Sequence, residues 1–382
     1  MGVTEIEPFR IAVPQEELDD LRFRLRRTRW PTEIPESGWE RGVPVEYLRE
    51  LVDYWVNSYD WRVWEARLNA LPQFTTVIDR QRIHFLHVRS AEPDALPLVV
   101  THGWPGSIVE TLELVGPLTD PVGHGGDVAD AFDLVAPSLP GFGFSTPVSE
   151  PGWNHHRIAR AWVELMRRLG YQRYGAHGGD TGFVVSPEIG RIAPAQVVGV
   201  HIYGGLEFDA ITPADDEHLT DAERARLAAL EWLRRDATGY ATIQSTRPQT
   251  VGYALNDSAV GQLAWIVDKF HDWTDPARPL PDQAVDRDHL LTNATLYWLT
   301  GTGASAAHLY YEARLTPAGP RSRSRVPTGI AVFPTDPNVR RVADREHTVV
   351  RWAEYDRGGH FAALEAPDVL VDDIRAFFRA LR

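Results

Sequence analysis

Residues 173 to 186 read RYGAHGGDTGFVVS, and no other stretch limits the fold so sharply. A short apolar run meets two glycines, then a carboxylate, then a third glycine and an apolar segment suited to a helix. The pattern predicts a strand that turns abruptly into a helix, with Asp180 at the apex between Gly178-Gly179 and Thr181-Gly182. Small neighbours permit a strained backbone that pushes the central side chain outward. The helix that follows points its free N–H groups and the positive end of its dipole at that side chain. A serine in this position needs a base to remove its proton. A carboxylate is already ionised at neutral pH and attacks unaided, most suitably at a saturated carbon, leaving an ester. Strained epoxides and alkyl halides are the natural electrophiles. The bland alternative is that Asp180 only caps the helix, a position Asp favours. A lone GxDxG favours the cap, so the rest of the chain decides.

Around this turn the chain alternates. LPLVV (96–100), AFDLVAPS (131–138), RYGAH (173–177) and VVGVHIY (197–203) are short buried-strand candidates, separated by helical segments such as HHRIARAWVELMRRLG. Alternation of this kind implies an α/β chain with a mostly parallel sheet covered on both faces. Upstream, residues 14–31 carry Leu18, Leu21 and Leu25 at helical spacing, and 46–70 form a second helical stretch rich in Trp, Tyr and Leu. FTTVID and RIHFLHV alternate apolar with polar about Arg80-Gln81, as in a hairpin. Between 207 and 318 the alternation stops and helices take over, before VPTGIAVFPTDP (326–337) restores a strand. The expected organisation is an N-terminal helical region over 1–72 packing on the core, a first core part over 73–206, a helical cap over 207–318, and a second core part over 319–382.

Composition narrows the partners. A formal net charge of −14 argues against nucleic acid and against anionic membranes. The absence of cysteine removes disulfides, thiolate metal sites and a cysteine nucleophile. No apolar run approaches the ~18 residues of a membrane span. MGVTEIEPFR lacks a signal peptide's charged and apolar regions, and Ile6 breaks a myristoylation pattern. A cytoplasmic protein is expected. Lys269 is the one lysine among 39 basic residues, which suggests a GC-rich genome and nothing about chemistry. His84 and His87, three apart on a strand, face opposite sides and cannot share a metal. His155 and His156 read as surface. GTGASAA (301–307) lies in the helical insert without a preceding strand, and GHGGD (123–127) lacks a phosphate loop's Lys. Neither a cofactor nor a metal is implied.

An ester on Asp180 must be hydrolysed, which takes a base for water and donors for the oxyanion. The Gly-x-nucleophile-x-Gly turn of α/β-hydrolases, the nucleophile elbow, supplies one donor from the residue after the nucleophile, here the N–H of Thr181. THGWPGS (101–107) follows the strand LPLVV and resembles the His-Gly-x-Pro loop of that fold, whose second donor is the backbone of Trp104. The glycine-flanked His360, in DRGGHFAALEAPDVL, is the candidate base. Asp336, after the strand that resumes past the insert, would hold its imidazole in the useful tautomer, with Glu354 and Asp356 as rivals. The chain order nucleophile, acid, base matches the fold. A departing alkoxide also needs a donor, and tyrosine hydroxyls suit it. Tyr240, Tyr253, Tyr310 and Tyr311 are all candidates on periodicity alone.

Over nearly its whole length the chain resembles the epoxide hydrolases of the microsomal and juvenile-hormone type and their soluble bacterial relatives. PFRIAVPQEELDDLRFRLRRTRWP, HGWPGS, GGDTG, IQSTRPQTVG, LYWLTGTGAS, VPTGIAVFPTD and RGGHFAALE are similar to family blocks in family order. The resemblance implies an α/β-hydrolase fold with Asp180 as nucleophile, His360 as base and Asp336 as the acid. It implies Tyr240 and Tyr310 as the epoxide-activating tyrosines, with Trp104 in the oxyanion loop. Trp104, Phe183 and Trp298 are the expected pocket walls. Members often carry Trp directly after the nucleophile; Thr181 there implies a reshaped pocket floor. The membrane-anchored members have an apolar N-terminal segment that this chain lacks, which implies a soluble enzyme. The expected activity is hydrolysis of an apolar, aryl-bearing or natural-product epoxide to a vicinal diol, in detoxification or secondary metabolism. The expected partners are the epoxide and water, with a homodimer allowed. A haloalkane dehalogenase with the same Asp-His-acid set is the nearest alternative. A non-catalytic protein on a hydrolase fold is the other.

Overall fold

The computed structural model describes residues 5–205, 219–315 and 322–382. Among these residues nine strands form one sheet: β1 (Glu7–Phe9), β2 (Gln73–Ile78), β3 (Gln81–Val88), β4 (Leu96–Thr101), β5 (Phe132–Pro137), β6 (Tyr174–Gly179), β7 (Val197–Tyr203), β8 (Pro327–Val332) and β9 (Thr348–Glu354). Their spatial order is β1-β2-β3-β5-β4-β6-β7-β8-β9. The pairs from β1 to β3, and β3 with β5, are antiparallel, and every pair from β5 through β9 is parallel. β6 is buried at every position, as a strand covered on both faces must be. Its cover comes from the helices His155–Arg168 and Thr181–Ile192 and from the C-terminal helix Pro367–Arg379. This is the mostly parallel α/β architecture that the alternation implies.

Three details differ from expectation. The second N-terminal helical stretch is two helices, Val45–Asn57 and Trp61–Asn69. The break falls at Asp60, whose side chain accepts from the N–H of Arg62 and starts the second helix. β1 and β9 carry no clear signal in the sequence, because one is three residues long and the other is a half-exposed edge. β3 is buried almost throughout instead of alternating. Its polar His84 is satisfied inside the sheet by Ser138 and Gln73, each at 2.9 Å.

Between β7 and β8 lie the helices Asp221–Trp232, Gly239–Thr246, Pro248–Asp257, Ala259–Trp273, Pro281–Ala284, Arg287–Thr300 and Thr302–Leu315. The expected cap boundaries at 206/207 and 318/319 lie outside the described residues. The N-terminal helices tie themselves to this insert. Trp55 Nε1 donates to Thr295 Oγ1 at 3.0 Å, and the Tyr59 hydroxyl meets Thr292 Oγ1 at 2.9 Å. The helix Arg287–Thr300 then reaches the loop after β4: Asn293 Nδ2 donates to Pro105 O at 2.7 Å and Tyr297 OH to Gly106 O at 2.9 Å.

A polar chain runs under the nucleophile strand. His177 Nδ1 stands 3.0 Å from His201 Nδ1, and His201 Nε2 lies 2.8 Å from Asp373 Oδ2. Tyr355 OH and Arg351 Nε donate to the other oxygen of Asp373 at 2.7 and 2.6 Å. One buried carboxylate thus joins β6, β7, β9 and the C-terminal helix.

Candidate active site

The turn at Asp180 is built as its glycines demand. Asp180 has φ 51° and ψ −114°, a left-handed backbone that costs a non-glycine residue of order 1–3 kcal/mol. Gly178 and Gly182 let the turn press on β4: a Cβ at either would lie 2.5 or 2.3 Å from Thr101 O. The strained apex projects the carboxylate above the sheet.

The two carboxylate oxygens are engaged differently. Oδ1 accepts from the N–H of Thr181 at 2.7 Å, the N–H of Trp104 at 3.0 Å and the Thr181 hydroxyl at 3.1 Å. Oδ2 lies 3.3 Å from His360 Nε2. Burial pushes the Asp180 pKa up, but the His360 hydrogen bond and charge and the two backbone donors outweigh it and hold the group below the usual carboxylate range. Burial draws His360 down, and the hydrogen bond and charge of Asp180, with the charges of Asp336 and Glu365, carry it above its ordinary value. Each group thus favours the charged form of the other.

Asp336 is buried in the same centre, but it makes no hydrogen bond to His360. Its Oδ2 accepts from the N–H groups of Phe333 at 2.9 Å and Gly204 at 3.3 Å. Gly204 stands against both residues, since a Cβ there would lie 3.4 Å from His360 Nδ1. The expected direct clamp is not formed: both backbone donors engage Oδ2, and Asp336 acts on His360 through its charge. Burial raises Asp336 to about 6 against those donors and His360. The rivals point elsewhere: Glu354 pairs with Arg226, and Asp356 is exposed. Glu365 went unnoticed in the sequence. Burial raises it to about 7, and it accepts from the N–H groups of Asp275 and Phe361. Its signal was its place five residues after His360.

Tyr240 and Tyr310 are brought together over Asp180. Their rings lie 5.7 Å apart at 80°, and Trp104 stacks on Tyr240 at 4.9 Å and 5°. Burial, then the charge of Asp180, raises Tyr240, and burial leads the rise at Tyr310, so both remain protonated donors. Tyr253 is 72% exposed, and Tyr311 does not reach the cavity.

A cavity of about 300 Å³ holds Asp180, Thr181, Phe183, Val184, Tyr240, Leu309, Tyr310 and His155 in its walls. Phe183 is where it was expected. Trp104 forms the wall behind Tyr240. Trp298 is not in the cavity; the guanidinium of Arg24 lies 5.6 Å over its ring, on the side facing the N-terminal helix. His155 is the reverse correction, since it opens the helix that faces the elbow and lines the cavity. A second space of about 200 Å³ meets His360 and Asp336 from the other side, walled by Trp273, Leu233 and Pro334 and reaching the half-exposed Trp232. Two residues of the oxyanion loop have plain structural grounds. His102 accepts from the N–H of Leu139 and contacts Gly103 O, while a Cβ at Gly106 would displace the Glu110 carboxyl from its present place.

An ionised carboxylate with one oxygen held by three donors, a histidine at the other oxygen and two phenols facing it can form and cleave an ester. Known proteins with this architecture point the same way. Residues 6–111 match the family model described as epoxide hydrolase N terminus. A provisionally named epoxide hydrolase of Stigmatella aurantiaca (strain DW4/3-1) is 46% identical over 99% of this chain and 86% of its own length. Epoxide hydrolase 1 of Sus scrofa is 35% identical over 98% of this chain and 89% of its own. The solved Aspergillus niger epoxide hydrolase superposes with a TM-score of 0.86 at 33% identity, covering 100% of this chain and 98% of that one. The juvenile hormone epoxide hydrolase of Bombyx mori gives 0.90 at 27% identity, covering 100% of this chain and 96% of that one.

Proposed function

We propose, for a chain that belongs to the epoxide hydrolases of the microsomal and juvenile-hormone type and hydrolyses epoxides, that the reaction runs through a covalent ester on Asp180. The observation that carries this reading is the unequal engagement of the two oxygens. Oδ1 is saturated by three donors, so Oδ2 is the nucleophile. It attacks an epoxide carbon; the C–O bond breaks, and the leaving oxygen takes a hydrogen bond and then a proton from Tyr240 or Tyr310. The alkyl group is now bonded to Oδ2, and Oδ1 is the ester carbonyl oxygen, already in its hole.

Esterification removes the charge of Asp180, the strongest influence holding a proton on His360. With that charge gone His360 is more easily neutral, and it takes a proton from water as the water oxygen adds to the Asp180 carbonyl carbon. Oδ1 carries the negative charge until the bond from that carbon to Oδ2 breaks; the departing alkoxide takes the proton held by His360, which releases the diol, and the proton left on Asp180 returns through solvent to the phenolate formed at ring opening. Asp336 and Glu365 stabilise the imidazolium by their field. Phe183, Val184, Ala241, Leu309 and Ala313 make the cavity mainly apolar, and its volume suits an epoxide with one aryl or short alkyl group. No helix among the described residues is long and apolar enough to cross a membrane.

The test is one turnover of an aryl epoxide in ¹⁸O-water with enzyme in excess. Unlabelled diol, with one ¹⁸O left in the Asp180 peptide, is the expected result. Labelled diol from the first turnover would mean direct attack by water and remove Asp180 as nucleophile.

A further inference from the structure

One lysine among 39 basic residues is an odd thing to bury, yet Lys269 is only 4% exposed. It lies on the insert helix Ala259–Trp273, the helix that ends against His360. Its ammonium donates to Asp272 Oδ2 at 2.8 Å and pairs with Asp268 Oδ2 at 2.9 Å. It also stands 5.1 Å from the ring centroid of Tyr240 and 5.7 Å from that of Trp273. Stability does not account for it, because desolvating a charged pair roughly cancels the attraction it gains. A codon bias that writes arginine elsewhere has left lysine at this one position. Arginine's wide planar fork needs in-plane partners, whereas a compact ammonium fits between two carboxylates and a ring face.

The geometry points to Lys269 as a positioning residue for epoxide opening: its charge on the face of Tyr240 favours the drift of negative charge onto the phenol oxygen as that hydroxyl donates to the leaving alkoxide. Asp272, the ammonium's partner, acts on Tyr240 in the opposite sense. A cation within about 6 Å of a ring centroid is attracted by the ring and polarises it, most strongly when desolvated. Ester hydrolysis involves no phenol, so the effect belongs to the first step alone. The inference rests on Tyr240 as the donor to the epoxide.

The experiment is a double-mutant cycle read by rapid-quench mass spectrometry, which follows ester formation and ester loss separately. Lys269→Met keeps the length and removes the charge, and is expected to slow ester formation about tenfold. Ester hydrolysis should stay within about twofold, and in a Tyr240→Phe background the lysine effect on ester formation should shrink below about twofold. A role confined to packing would slow the reaction equally in both backgrounds, or slow both steps, and would overturn the proposal; so would no slowing at all. Should the Met variant fold poorly because Asp272 is left unpaired, Lys269→Met with Asp272→Asn carries the same comparison. If Tyr240→Phe slows ester formation while the lysine variants do not, the lysine inference alone fails. If Tyr240→Phe leaves ester formation intact, the assignment of Tyr240 fails and takes the inference with it. The chain's single lysine also gives one side-chain signal in ¹³C-lysine-labelled protein. That signal should be shifted upfield by the two rings, and a position typical of exposed lysine would overturn the contact.

Discussion

Thr181 gives the residue scale its sharpest test. Where family members often carry Trp, this chain's hydroxyl is a third donor to Oδ1, the carbonyl oxygen of the proposed ester. Thr181→Val keeps the backbone N–H and loses this donor. Ester hydrolysis is expected to slow about tenfold, in line with the loss of one peripheral oxyanion donor, with the ester accumulating in a single turnover. The pH dependence follows from His360. In the free enzyme its pKa is raised, with Asp180 the main upward influence. In the ester that influence is gone, so the neutral, active imidazole persists to lower pH. The acid limb of the ester-hydrolysis rate should therefore lie at lower pH than the His360 titration followed by NMR in the free protein. Coincidence of the two would contradict this coupling. Asp180, His360 and the glycines around them were legible because their backbone demands are local. The donors that hold Asp336, and its lack of a bond to the imidazole, were not, because they depend on where distant backbone N–H groups point.

At the scale of elements, the helix Arg287–Thr300 matters beyond its own stability. It connects the N-terminal helices to the oxyanion loop through Thr292, Asn293, Thr295 and Tyr297. Tyr297→Phe removes one hydrogen bond to a loop carbonyl and should cost about 1 kcal/mol of stability. A larger loss is expected in kcat, because the loop also presents the Trp104 N–H. Denaturant unfolding beside steady-state kinetics separates the two effects, and a fall in stability with unchanged kcat would show that the loop holds its shape without this contact. None of this was visible in periodicity, where the helix shows little amphipathic pattern because it is buried nearly all round. Trp298 was misread for that reason: no polar face in the sequence says which side meets the cavity.

For the whole molecule, the alternation of apolar runs with helices was enough to anticipate the parallel sheet and its helical interruption. The two edge strands escaped because one is three residues long and the other is half-exposed. What locks the assembled sheet is Asp373, whose carboxylate is fully buried and held well below the usual range as hydrogen bonds from His201, Tyr355 and Arg351 overcome the cost of burial. A depressed carboxylate gives its full stabilisation above the unfolded value near 3.8 and loses it as pH falls toward the folded one. Asp373→Ala should cost about 3–5 kcal/mol at neutral pH, because it strands buried partners. It should also flatten the decline in stability below pH 4, as measured by denaturant unfolding across pH. The placement of the working groups has a further consequence. Asp180, His360 and Asp336 all stand on ends of the sheet, whereas Tyr240 and Tyr310 come from the helices above. On the proposed reaction, a molecule divided in this way can change its diet without relearning its trade: the upper half is free to vary with what must be admitted, while the lower half keeps to one chemistry.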